Sequence, residues 1–166
     1  MLHRAVLPLL LCTCRIVNEP DLPDPPAFRI TIEPDTVRAG LNVQAKLDFR
    51  FLIRIFNDGP GMLFVPPCGH ELQRSAPNAS WTTVYEPPCP TGFFPPFAVD
   101  AGGTYGYVVR IVAPVDSGPW RRGEIGGRYR MISYISAEYR DAGRWGRPVP
   151  HSTRISPEFP VREEIP

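Results

Sequence analysis

Lysine is almost missing from this chain. Lys46 is the single lysine among 18 basic residues, and the arginine excess reads as a coding bias rather than a site. Basic and acidic residues nearly cancel, leaving a formal charge of +1, so no electrostatic footprint for nucleic acid is present. Runs of 18 or more apolar residues are also missing, which excludes a conventional spanning helix. There is no internal repeat and no stretch with a defensible helical period. Around the serines no nucleophile motif is recognisable, and the chain is not expected to be an enzyme. Proline is what the chain has in excess: 22 residues, alongside 14 glycines. Both interrupt helices, and the balance favours short strands and ordered loops.

The segment 41–56 organises the rest. Leu41, Val43, Ala45, Leu47, Phe49, Phe51, Ile53 and Ile55 alternate with Asn42, Gln44, Lys46, Asp48, Arg50 and Arg54; Leu52 and Phe56 are the apolar exceptions. One buried and one wet face follow, as in a two-layer all-β domain. At about 3.3 Å per residue the segment would span roughly 53 Å. Strands usually stop at about ten residues, so a bend or break is predicted before Leu47. Its apolar face is expected to pack on Tyr107, Val109 and Ile111, and on Tyr129, Met131 and Ile135.

Further strands are predicted at 28–33, at 62–65 (pairing with the strand before it), at 81–85, 105–111 and 129–138. A hairpin-like connection follows at 141–150. A last strand near 153–156 and 159–161 is broken by Pro157 and Pro160, which suits an edge position. Seven or eight strands at this spacing give one all-β antiparallel sandwich over residues 27–162, with 163–166 as a tail. Glu163 and Glu164 read as solvated charges. Asn78-Ala79-Ser80 has the form of a glycosylation sequon and is read as a turn.

Residues 1–13 read as an export leader whose end, Leu11-Cys12-Thr13-Cys14, resembles a bacterial lipobox. Cys14 is the expected lipidated residue, with Cys12 as the alternative; a plain secretion signal or a misplaced start codon is the other reading. Residues 14–26 include the acidic, Pro-rich NEPDLPDPP, a stiff extended tether. Cys68 and Cys89 are then left alone in an exported domain, where an oxidising compartment pairs them.

Exposed candidates for contact are the apolar loop Phe93, Phe94 and Phe97, and two places where Arg accompanies Trp: Trp120 with Arg121 and Arg122, and Trp145 between Arg144 and Arg147. Arg and aromatic residues are enriched at binding hot spots. The loop can equally close the open end of the sandwich, and Arg on Trp can equally be surface packing. A soft metal site from Cys68, His70, Met62 and His151 would suit copper. Oxidation of Cys68 removes it, no second Cys–His cluster supports it, and His70 is read as a strand-end surface residue.

A wider pattern can be assembled from an alternating strand ending in Asn57, then Cys68, Leu72-Gln73-Arg74, Trp81, Val84 and Cys89. A turn at Asp100-Ala101-Gly102, Gly127-Arg128-Tyr129-Arg130 and Ser156-Pro157-Glu158-Phe159-Pro160-Val161 complete it. This resembles the immunoglobulin-like β-sandwich domains of uncharacterised bacterial secreted proteins and lipoproteins. Ala101 stands where such domains often carry Pro. Gly127 followed by Tyr129 resembles their tyrosine corner, in which the phenol bonds back to nearby backbone. The resemblance implies a fold and an envelope address, not an activity. The expectation is a monomeric, non-catalytic module without a cofactor, held at the membrane by an N-terminal lipid and serving an envelope protein partner or a structural role. The alternatives are an inhibitor-like domain inserting loop 92–97 into a protease cleft, and a periplasmic copper-binding protein.

Overall fold

Apolar alternation builds the strands, while Asn, Gly and Pro place the turns. The computed structural model describes residues 27–89, 94–141, 144–146 and 148–165. Its first strands are β1 (Phe28–Glu33), β2 (Val37–Leu41), β3 (Leu47–Asn57) and β4 (Leu63–Val65). Next come β5 (Glu71–Ser75), β6 (Trp81–Tyr85), β7 (Phe97–Val99) and β8 (Thr104–Ala113). The chain ends with β9 (Gly127–Ile132), β10 (Tyr139–Asp141), β11 (Arg144–Trp145), a 3-10 turn (His151–Arg154) and β12 (Phe159–Glu163).

Eight strands join in one sheet that folds over into two layers. In the first layer, β3 lies between β1 and β8. The second runs β2-β12-β9-β5-β6. Strand β2 belongs to both: Gly40 and Leu41 pair with β3, while Val37, Arg38 and Ala39 pair with Val161, Arg162 and Glu163 of β12. That last ladder is parallel, so the sheet is mixed rather than purely antiparallel. Small two-stranded sheets, β4-β7 and β10-β11, sit apart.

The inner faces meet through aromatic rings. Phe51 lies 5.0 Å from Phe159, and Phe49 lies 6.5 Å from Tyr129, centroid to centroid. Leu47, Ile53, Ile55, Leu72, Ile111 and Met131 fill the space around them, all fully buried. Each such side chain contributes about 1.5–3 kcal/mol relative to exposure. The sandwich is therefore held mainly by this interior. Surface ion pairs such as Arg54–Glu33 (2.8 Å) add at most about 1 kcal/mol each.

The break before Leu47 is present, and its cause is Asn42. The Asn42 side-chain oxygen accepts from the amides of Gln44 (2.9 Å) and Lys46 (3.1 Å), closing a turn in which Ala45 takes a positive φ of 54°. Val43 and Ala45 thus leave the expected buried face, and Val43 is fully exposed. Strand β4 does not return to β3, whose two edges are already taken by β1 and β8; it pairs with β7 instead. Asn57 enforces that departure. Buried at the end of β3, its side-chain amide donates to the carbonyls of Gly61 (2.6 Å), Val99 (2.9 Å) and Asp100 (3.1 Å).

Near the end of the chain, residues 151–154 form a 3-10 turn rather than a strand, with Thr153 bonded back to the Pro150 carbonyl through both its amide and its hydroxyl. Strand β9 stops at Ile132 instead of running on to residue 138. Strand β12 is interior rather than at an edge. Pro160 is tolerated there because it precedes Val161, where the parallel ladder begins. The 78–80 turn forms as expected, with the Asn78 side chain accepting from the Ser80 amide at 3.1 Å.

Glu163 is not a solvated tail charge. Its carboxylate accepts from the amides of Gly123 (2.8 Å) and Ile125 (3.1 Å), while Glu164 pairs with Arg38 at 2.8 Å. The carbonyl of the same Ile125 accepts the Tyr129 hydroxyl at 2.6 Å, so the tyrosine corner is formed. Removing that hydroxyl leaves a buried carbonyl without its donor. Tyr129→Phe should lower unfolding stability by about 1–2 kcal/mol, read as an earlier denaturant midpoint at unchanged slope. An unaltered midpoint would show that the corner contributes nothing.

Candidate functional site

One end of the sandwich departs from an aliphatic core. The first half of β8 presents Tyr105 and Tyr107 inward, where its second half presents Val109 and Ile111. These tyrosines sit within a run of four rings. Phe97 stacks on Tyr105 at 4.7 Å, Tyr105 on Tyr107 at 5.7 Å, and Tyr107 on His70 at 4.7 Å. The run begins at the surface, where Phe97 is 46% exposed, and ends at His70, which is buried. Ring pairs at such separations add about 0.5–1.5 kcal/mol beyond their burial.

Prolines and a disulfide fix the covering chain. Cys68 and Cys89 are bridged with their Cα atoms 5.2 Å apart, tying the segment before β5 to the segment after β6. Two residues past Cys68, the His70 Nδ1 lies 3.1 Å from the Tyr107 hydroxyl, which also lies 3.3 Å from the Ser133 hydroxyl. Burial pushes the His70 imidazole down to about 4, partly opposed by a hydrogen bond it donates to the Pro66 carbonyl. The ring is therefore neutral at pH 7. Burial likewise raises the phenol of Tyr107, and that of Tyr105 less deeply. Because His70 and Ser133 are both buried, this polar chain fastens the segment before β5, β8 and the segment after β9 together.

Several expected site residues lie here. Phe94 and Phe97 both stand out from the surface at 46% exposure, on a segment carrying Pro95 and Pro96. Phe93, Cys12 and Cys14 fall outside the described residues, as do the leader and the tether. Trp120 is a correction: it is buried, edge-on to Phe49 at 5.8 Å, and belongs to the core rather than to a contact surface. Its turn is closed locally, with the Asp116 amide donating to the Trp120 carbonyl at 2.7 Å. Arg121 and Arg122 are exposed, and Arg122 pairs with Asp116 at 3.3 Å. Trp145 lies opposite Tyr139 in the β10-β11 hairpin, within the connection expected there.

His70 is also a correction, since it is buried and not a surface residue. Met62 and His151 are exposed, and Cys68 is spent in the bridge, so the four suggested copper ligands are not gathered. Among the described residues no group of three or more His, Cys, Asp or Glu is placed to hold a metal ion. No described helix is long and apolar enough to cross a membrane. The bridge is compatible with an exported protein. Sequence reasoning assigned Tyr105 and Tyr107 to a strand without seeing that they join Phe97 to His70. The available signal is two aromatics on a face that continues with the β-branched Val109 and Ile111.

The chain matches no family model and no curated protein sequence. Among solved structures it is similar to the putative ApaA protein of Bordetella pertussis, at 15% identity over 84% of this chain and 96% of that one, with a TM-score of 0.44. A Pyrococcus furiosus CARDB domain in complex with di-metal ions is similar at 13% identity, covering 84% of this chain and 90% of that one, TM-score 0.32. The Pseudomonas fluorescens alkylpurine DNA glycosylase AlkC, bound to DNA containing an abasic site analogue, is similar at 13% identity over 81% of this chain but 30% of that one, TM-score 0.36. None of these similarities assigns a function.

The buried imidazole makes stability depend on pH in a definite direction. An unfolded histidine takes up its proton near pH 6.5, whereas folded His70 resists to about 4. Between those values the unfolded chain holds more protons, so stability is full above about pH 6.5 and falls as pH drops toward 4. The loss from this group is about 3 kcal/mol. Denaturation of the wild type and of His70→Gln, which keeps a polar partner for Tyr107, should diverge over that window, with the variant nearly flat. Parallel curves would remove His70 as the cause.

Proposed function

We propose that this chain is an exported immunoglobulin-like module that engages a protein partner through the end of the sandwich where Phe94 and Phe97 protrude, and that a lipid on Cys14, or alternatively Cys12, holds it at a bacterial envelope. The observation that carries the reading is the placement of Phe97. Its ring is nearly half exposed, yet it is backed by Tyr105, Tyr107 and His70 in one continuous stack. An aromatic anchor already held in position loses little conformational freedom on binding, which is what a contact residue requires. Adjacent Pro95 and Pro96 restrict the backbone in the same sense. The exposed rings thus differ from Val43, which is fully exposed but stands alone on a five-residue turn.

The exposed, proline-bearing residues 94–97 also support a protease-inhibitor reading, separated by whether the captured partner is a protease inhibited by the wild type and released by Phe94→Ala. A photo-crosslinking residue placed at Phe94 in the native envelope should capture a discrete protein, weakened by Phe97→Ala. The same residue at Val43 should capture none. Equal capture from both positions, or none from Phe94, would overturn the proposal.

A further inference from the structure

On the outer face of the first layer, arginines are the rule and nearly all are answered. Arg29 pairs with Asp58 at 3.0 Å and Arg54 with Glu33 at 2.8 Å. Arg110 donates through Nε to Asp48 at 3.0 Å and makes a second bond to the same carboxylate. Arg50 has no hydrogen bond or salt bridge among the described residues. Its position makes this notable, because the β3-β8 register sets Arg50 directly opposite Arg110. Like charges directly opposite on a sheet destabilise it.

A cavity of about 640 Å³ opens at this place, lined by Pro34, Thr36, Arg38, Asp48, Arg50 and Arg110 among others. Arginines from three strands, β2, β3 and β8, thus line one notch. Within the lining only Asp48 opposes them, and it is already occupied by Arg110. Glu164 reaches Arg38 from the chain end, an exposed pair that a competing anion can displace. Arg50 makes no hydrogen bond to either carboxylate, though its charge acts on Asp48 through space, so three guanidinium charges share two carboxylates, Asp48 and Glu164.

We infer that this notch binds a phosphate group, held between Arg38, Arg50 and Arg110. Guanidinium forks match oxyanions in bidentate fashion. A carboxylate offers two oxygens, too few for three forks arriving from separate strands, whereas a phosphate offers enough and carries the charge that separates Arg50 from Arg110. Thr36 lies in the same lining with a hydroxyl able to donate. The site is remote in sequence from Phe94 and Phe97, and it stands whether or not the loop proposal holds.

Arginine side-chain NMR at constant ionic strength tests it, with two probes: inorganic phosphate, and vesicles containing phosphatidylglycerol. Saturable shifts at the Nε–H groups of Arg50 and Arg110 are expected. Arg50→Gln should weaken binding about tenfold or more, the loss of a charge-assisted bond. Glu164→Gln should tighten it by freeing Arg38, while Arg29→Gln should leave it unchanged. A response to inorganic phosphate alone assigns a free phosphate compound; a response to vesicles alone, lost in Arg50→Gln, assigns a lipid headgroup. Either supports the site. Unsaturable shifts, equal binding by Arg50→Gln and wild type, equal loss in Arg29→Gln, or no response to either probe would overturn it.

Discussion

The contact of Phe49 and Phe51 with Tyr129 and Phe159 is the constraint on which the rest depends. It brings the two layers face to face and fixes the register of β3, since a slip of one residue would turn both rings outward. With β3 fixed, β8 is fixed along its length, and with β8 the inward aim of Tyr105 and Tyr107. The aromatic stack is thus downstream of the core. The opposition of Arg50 to Arg110 follows from the same register, so the notch on the outer face is set by what happens on the inner one.

Beyond the strands, side chains do what backbone partners cannot. Asn42, Asn57 and Glu163 each close a stretch of irregular chain by bonding its amides or carbonyls. Ile125 has its amide satisfied by Glu163 and its carbonyl by Tyr129. A buried loop needs such partners, because unpaired backbone groups away from water cost as much as lost hydrogen bonds. These residues hold the turns in place and leave Phe94 and Phe97 free to project.

Strands were legible wherever one face is apolar and the other polar, as at 28–33 and 47–57, and at 81–85 from β-branched and aromatic residues. The bend before Leu47 was legible from length. Its cause was not, because Val43 and Ala45 continue the alternation by chance while the Asn42 side chain takes the amides that a strand would need. Pairing was hidden as well: nothing local in Leu63, Phe64 and Val65 says that both edges of β3 are occupied. At the candidate site, exposure was readable for Phe94 and Phe97 but not for Trp120 or His70. A Trp beside two arginines looks like a surface pair until Phe49 is found against it. A His between Gly and Glu looks solvated until Tyr107 is found above it.

The parallel run of β2 against β12 has a mechanical side. Tension applied between residue 37 and residue 163 draws these strands past one another along their length, loading the bonds of the Val37–Val161, Arg38–Arg162 and Ala39–Glu163 pairings together rather than one at a time. Because β2 is also bonded to β3 through Gly40 and Leu41, the pull is shared with the other layer. The fold is braced along the line that joins Val37 to Glu163.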